Sequence, residues 1–204
     1  ATTSQFTVTQ GSLSLPALTR LEQGALTISG GATISVPLLS NINGSSLYVS
    51  GGQTLSLPAV TNYEGAGGSA PVFRASGAGS VLNLSNLTNL DFSIAHATNM
   101  TIDAQTGGRI DLSRVTQMSD TVASAARSLR LSSSGTNSQI DLSSLVNFLD
   151  NSTWSAGWNS SSFTVNSSGT ILVPELQSIK EVYSTLDGSG TLQFNKLATA
   201  TTSQ

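Results

Sequence analysis

The sequence predicts an all-β protein, a parallel β-helix (solenoid) in which one chain winds through about eight stacked coils. Three observations predict it. The stretch Leu26 to Ile42, L-T-I-S-G-G-A-T-I-S-V-P-L-L-S-N-I, returns almost intact from Leu47 to Tyr63, so that Ile34 and Leu55 lie 21 residues apart. A fixed period of this size marks stacked repeats. Apolar residues alternate at period two inside each repeat, as in a strand with one buried face. The filler is Ser, Thr, Asn and Gly, which suits strands and tight turns more than helices.

Aligned on the pattern apolar-x-apolar-x-x-apolar-x-x-apolar, the first apolar position falls at Leu13, Ile34, Leu55, Leu82, Ile110, Ile140, Ile171 and Leu192. The second runs from Leu15 to Phe194, the third from Leu18 to Leu197 and the fourth from Leu21 to Ala200. An alternating strand sits upstream: Phe6/Val8, Leu26/Ile28, Leu47/Val49, Met100/Ile102, Leu129/Leu131 and Phe163/Val165. Around Val72 to Ala75 this strand is out of register by about a residue, and the last coil keeps only Leu186 clearly. Between the two strands, Gly30-Gly31, Gly51-Gly52, Gly107-Gly108 and Ser168-Gly169 make a bend, where glycine serves a positive φ or a sharp corner. Pro16, Pro37, Pro58 and Pro174 end the second strand, because proline cannot donate to a ladder. One coil cannot bury its own apolar face, but eight stacked coils can. A leucine-rich horseshoe is the competing architecture. It would need a buried Asn ladder, and the Asn41, Asn62, Asn89 and Asn147 column is interrupted by Arg20, Gln117 and Ser178.

The spacing between successive cores is 21, 21, 27, 28, 30, 31 and 21 residues. The extra length enters after the fourth apolar position, in Glu64 to Pro71, Asp91 to Asn99, Ser119 to Ser128 and Leu149 to Ser162. Insertions at one point of successive coils emerge on one side, the usual binding side of a repeat protein. Residues 1–204 read as a single domain. With no signal peptide at Ala1, the expectation is a mature fragment or a module of a larger chain. Bare coil ends would expose strand edges, so a partner domain or irregular cover is expected there.

A net charge of −3 with eight scattered basic residues argues against a nucleic-acid partner. No run of about 18 apolar residues exists, so no membrane span is expected. The absence of cysteine excludes disulfides and thiolate metal sites.

The candidate ligand-binding residues are Trp154, Trp158, Asp150, Asn151, Asn159, Asp120, Asp91, His96 and Tyr48. Both tryptophans of the chain lie in the longest insertion. Indoles stack on the C–H faces of sugars while acids and amides bond the hydroxyls; the same rings also serve to seal a core. His96, the single histidine, cannot build a His-rich metal site alone. Tyr48 points outward beside Thr27 as a second stacking candidate. Asp111 and Asp141 occupy one outward column, about one rung apart. Such a pair can raise a pKa, bind Ca²⁺ or act as acid and base, but Arg109, Arg114 and Arg130 balance it. No cofactor and no catalytic residue is expected. The Ser12/Ser14, Thr33/Ser35 and Thr54/Ser56 hydroxyl array suits ice binding until Arg109 and Asp111 interrupt it.

In size, in the S-G-G-x-T-I-S-V-P coil pattern, in its Ser/Thr/Asn surface and in the Trp154/Trp158 insertion, the chain resembles the right-handed β-helix carbohydrate-binding modules attached to bacterial xylanases. The resemblance implies a right-handed solenoid that is secreted or displayed at a bacterial cell surface. It also implies a non-catalytic module that holds a covalently linked glycoside hydrolase near xylan or a related plant cell-wall β-glycan. The alternatives are a structural or adhesive solenoid segment of a surface protein, and a small β-helix lyase or hydrolase.

Overall fold

In the computed structural model, residues 4–65, 70–92, 99–120, 127–151 and 160–201 are described. They form 22 strands and no helix. Each coil carries up to three strands. The first coil has β1 (Gln5–Val8) and β2 (Ser12–Ser14); the second has β3 (Ala25–Ile28) and β4 (Thr33–Ser35). Six three-stranded coils follow. They are β5 (Ser46–Ser50), β6 (Thr54–Ser56) and β7 (Asn62–Glu64), then β8 (Val72–Ser76), β9 (Val81–Asn83) and β10 (Asn89–Asp91). The fifth coil is β11 (Asn99–Gln105), β12 (Arg109–Asp111) and β13 (Gln117–Asp120); the sixth is β14 (Ser128–Ser134), β15 (Gln139–Asp141) and β16 (Asn147–Asp150). The seventh is β17 (Ser161–Asn166), β18 (Thr170–Leu172) and β19 (Ser178–Lys180); the eighth is β20 (Val182–Leu186), β21 (Thr191–Gln193) and β22 (Thr199–Thr201).

All ladders are parallel, and strands from successive coils are neighbours. The first face is an eight-stranded sheet, β1-β3-β5-β8-β11-β14-β17-β20. The second face is β6-β9-β12-β15-β18-β21 with a separate β2–β4 pair, and the third is β7-β10-β13-β16-β19-β22. The bridge Arg20↔Asn41 extends the third face to the first two coils. This is the parallel solenoid of eight coils that the periodicity predicts. The Asn column lies in register on the third face, with Asn62↔Asn89 and Gln117↔Asn147, and its members are exposed or half-buried. A horseshoe would bury them, so that alternative fails.

The alternation places one set of side chains inside. Leu55, Leu82, Ile110, Ile140 and Ile171 are buried, as are Leu57, Leu84, Leu112, Leu142 and Val173 behind them. Each such side chain stabilises the fold by about 1.5–3 kcal/mol relative to exposure. Aromatic rings stack along the axis edge to face: Tyr63 on Phe73 with centroids 5.0 Å apart, and Phe148 on Phe163 at 5.3 Å. Burial pushes the Tyr63 phenol pKa up. In the end coils the same columns are only half-buried, at Leu15, Leu18, Leu192 and Phe194, because neighbours lie on one side only. Leu186 and Tyr183 are exposed.

The upstream strand differs from the expected alignment. Leu47 pairs with Phe73, Phe73 with Ile102, and Leu131 with Phe163. Met100 and Leu129 therefore lie two residues before the counterpart of Leu47, on strands that have grown to seven residues. A two-residue slip keeps every side chain on its face, so the error leaves the inward set intact.

Three corners join the faces. The first links the first and second faces, and its length alternates. Between strands it is Gly51–Gln53 in the third coil, Gly77–Ser80 in the fourth, Thr106–Gly108 in the fifth, Gly135–Ser138 in the sixth and Ser167–Gly169 in the seventh. The fourth and sixth coils thus carry one extra residue. In both long corners a terminal serine hydroxyl donates back to the strand end, Ser80 to the Ser76 carbonyl and Ser138 to the Ser134 carbonyl, each at 2.7 Å. Each serine oxygen also accepts a glycine N–H from the preceding coil, Gly52 at 3.0 Å and Gly107 at 2.9 Å. Gly108 is required for space rather than for φ, since a Cβ there would sit 2.1 Å from the Ala75 carbonyl oxygen.

The second corner is a turn closed by an i+3 N–H to i carbonyl bond, for example Leu39 to Val36 and Val115 to Leu112. Where its second residue is Pro16, Pro37 or Pro58, the strand before it ends in Ser14, Ser35 or Ser56. Where it is Ser85, Ser113 or Ser143, that position is Asn83, Asp111 or Asp141, whose Oδ1 accepts the serine N–H at 3.0 Å. The carboxylate replaces what proline makes unnecessary, a partner for that N–H.

The third corner leads from the third face to the next coil. The ends of all four lengthened segments, at Gly65, Phe92, Asp120 and Asn151, lie here.

Candidate functional site

Four expected ligand residues, His96, Trp154, Trp158 and Asn159, lie outside the described residues. The others do not form one surface. Asp120 and Asp150 end β13 and β16 in register, on the parity of Met118 and Phe148, and so point inward. Both have no exposed surface. Asp120 Oδ2 accepts from Arg127 Nε at 3.0 Å in an ion pair buried on both sides. Asp150 Oδ2 accepts from the Ser161 hydroxyl at 2.7 Å. Their expected role as sugar contacts is corrected: they continue the inward column into the third corner and tie the ends of the insertions. Asn151 is half-buried, its Nδ2 donating to the Asp120 carbonyl and its Oδ1 accepting from Lys180 Nζ, both at 2.8 Å. Asp91 is half-buried at the end of β10, in register with Glu64 and Ser119.

Tyr48 stands outward on the first face between Thr27 and Arg74. The next rung carries Asp103, in register with Arg74 and Ser132. Asp103 Oδ2 accepts from Arg74 Nε at 3.0 Å and from Gln105 Nε2 at 2.6 Å, while Oδ1 is buried without a partner among the described residues. Burial raises the Asp103 pKa against the pull of Arg74.

A broad concavity lies at the first corner. A groove of about 580 Å³ crosses four coils, lined by Ala78 and Gly79, Thr106, Gly107 and Arg109, Thr136 to Gln139, and Ser168 and Thr170. Its origin is the alternation in corner length: the short corner of the fifth coil lies between the long corners of the fourth and sixth. Asn137, at φ 65°, occupies the left-handed region that Asn tolerates better than most residues, and lines the groove wall. Arg109 Nε donates to Gln139 Oε1 at 3.1 Å, and Nη2 donates to the same oxygen. A smaller hollow of about 200 Å³ continues past these two side chains to Asp111 and Asp141. The pair is in register, as the column predicts, with each Oδ1 engaged by its turn. Thr136, Asn137, Gln139 and Thr170 were not among the expected ligand residues. Their signal was the one-residue register break before Leu82, which recurs before Ile140.

Among the described residues no group of three or more potential metal ligands occurs, and no helix is long and apolar enough to cross a membrane. The chain matches no model of a known protein family, no curated protein and no solved structure.

Proposed function

We propose that this domain is a non-catalytic module that binds a polysaccharide chain along its first corner. The observation that carries the reading is the groove itself, about 580 Å³ in volume, long enough to span four rungs and lined mainly by hydroxyl, amide and guanidinium groups. Hydroxyl-rich ligands need donors and acceptors fixed on a rigid scaffold, which ladder ends provide. The long axis of the groove runs across the rungs, at about 4.8 Å each. An extended glycan advances by a similar distance per sugar, so successive units meet equivalent positions. Xylan or a related plant cell-wall β-glycan is the proposed ligand, and a covalently linked hydrolase in a secreted bacterial protein the proposed context. Asp111 and Asp141 are turn-forming groups in this reading rather than an acid–base pair. Tyr48 and the Trp154/Trp158 insertion are secondary stacking contacts.

Affinity electrophoresis through xylan, glucomannan and soluble cellulose derivatives tests this. The parent domain should be retarded by at least one glycan, and a Thr136→Ala/Gln139→Ala variant much less. Trp154→Ala and Trp158→Ala report separately on the insertion. No retardation by any glycan would sink the proposal. A second reading, a segment of a longer structural or adhesive solenoid, is favoured by the edges of β1 and β20, which pair on one side only. It predicts no glycan retention at all.

A further inference from the structure

We propose that the groove is built for a carboxylate-bearing sugar, a uronic acid unit, with Arg109 as its ion-pair partner. This rests on the polysaccharide reading and names the ligand chemistry of the same site.

Arg20, Arg74 and Arg127 each pair with a carboxylate, on Glu22, Asp103 and Asp120. Arg114 donates to the Asn86 side-chain oxygen on the solvated second corner. Arg130, exposed on the first face, forms no ion pair among the described residues either, so what sets Arg109 apart is its place. It stands at the first outward position of β12, inside the groove, and its bonds go to a neutral amide oxygen on Gln139. Two guanidinium nitrogens are used to fix the plane of the fork. Nη1 makes no bond to any described residue. A guanidinium held in one plane with a free edge is the geometry that takes a carboxylate through parallel hydrogen bonds, which a hydroxyl cannot match.

The charges around it are arranged to one side. Toward the corner, the lining is uncharged: Ala78, Thr106, Gly107, Thr136, Asn137 and Thr170. The acids, Asp111 and Asp141, lie two residues further along their strands in the smaller hollow. Each is held in its turn by Ser113 or Ser143, and neither forms an ion pair with Arg109. A ligand carboxylate therefore meets Arg109 from the corner side. The hydroxyls of the same or the next sugar face the acids, which accept from them. The polarity of the groove thus fixes both the charge of the ligand and its direction.

The test compares an acidic polymer with its uncharged form, and with a second acidic polymer of different backbone. Binding of the parent domain, Arg109→Gln and Arg109→Lys is measured by titration calorimetry at low salt. The probes are glucuronoxylan, the same polymer with its carboxyls reduced to alcohols, and polygalacturonate. The parent should bind an acidic polymer about three- to tenfold more tightly than the reduced one, the range of an exposed but preorganised charged contact. Arg109→Gln should lose that preference while still binding the reduced polymer, and Arg109→Lys should keep part of it. Raising the salt to about 0.5 M should erase the difference, since an exposed pair is screened. Preference for polygalacturonate over glucuronoxylan would support the same chemistry on a pectic backbone. Equal affinity of the parent for acidic and reduced polymers overturns the inference and leaves the polysaccharide reading standing, as does a preference that survives in Arg109→Gln. Binding to none of the three polymers overturns both. Because Arg109 is exposed, its variants should melt with the parent, so lost binding cannot be ascribed to unfolding.

Discussion

The first and third corners both interrupt an apolar cylinder with polar residues, and they direct that polarity oppositely. At the first corner the backbone makes the bend with glycine and serine, and side chains such as Asn137, Gln139 and Arg109 face solvent from a recess. At the third corner Asp120, Arg127, Asp150 and Glu181 are buried. Residue type alone would rank them the other way, since acids suggest a site and glycines suggest a bend. The parity of the strand decides. Asp120 and Asp150 lie two residues beyond Met118 and Phe148 and inherit their inward direction. Arg109 and Gln139 lie one residue before Ile110 and Ile140 and must face out.

The largest expected effect comes from breaking the third corner. Arg127→Ala would take the guanidinium away from the buried Asp120 carboxylate. Loss of one partner of a buried pair costs about 3–5 kcal/mol, most of it the stranded charge. Urea unfolding should show a loss of that order, and Asp120→Asn/Arg127→Met a smaller one. A loss near zero in Arg127→Ala would mean that the corner opens to water and that its acids are accessible after all.

The first corner should break for a different reason, through space rather than charge. Gly108→Ala forces a Cβ against the Ala75 carbonyl oxygen, a backbone atom that cannot swing aside. A cost of about 1–3 kcal/mol is expected, as for overpacking. Gly31→Ala, at φ +85° with nothing within 4 Å, should cost only the left-handed conformation, roughly 1 kcal/mol. If the two variants melt alike, close packing does not define this corner. In Gly108→Ala the groove between the fourth and sixth coils should widen as well, so glycan retention should fall with stability.

How much of this was legible in the sequence follows from the same physics. Inward columns were readable because a period-two alternation carries its own direction, and it survived a two-residue misalignment at Met100 and Leu129. The place of the insertions was readable because length can be added at one corner without disturbing the ladders. The Asp111/Asp141 column was readable, but its cause was not. That cause lies in a pairing of residue types: Asp or Asn stands before Leu-Ser in the fourth to sixth coils, and Ser before an apolar residue and Pro in the first three. The inward turn of Asp120 and Asp150 was hidden because the apolar pattern stops at Met118 and Phe148, and only strand parity extends past it. The groove was hidden because one extra residue in a glycine-rich bend shows in the hydrophobic pattern only as a one-residue register break and leaves every inward position filled. It alters only the height of a corner relative to its neighbours, which is a property of adjacent coils and not of any one.

The smallest effect sharpens the comparison at the eighth coil, where the first corner is held by a carboxylate. Asp187 accepts the Ser167 N–H at 2.6 Å, and the Ser189 hydroxyl and N–H at 2.7 and 2.9 Å. The Ser167 bond, then those from Ser189, lower its pKa to about 2. A folded pKa below the unfolded value of about 3.9 means stability that is complete above pH 4 or so and is lost as the pH falls toward 2. Asp103 has the opposite sign. Its pKa is raised by burial, so its contribution falls as pH rises above the unfolded value. The two partly cancel in a bulk melting curve, and a site-resolved reading is needed. Carboxyl carbon shifts followed by NMR should show Asp187 titrating well below Asp103, and the Ser167 amide should exchange faster in acid as its acceptor is protonated. In Asp187→Asn the protection of that amide, relative to its intrinsic exchange rate at each pH, should not change between pH 4 and 2. An Asp187 that titrates near 3.9 would mean that the last coil is not held against the seventh at this corner, and that the open edge of β20 begins one coil earlier than the ladder suggests.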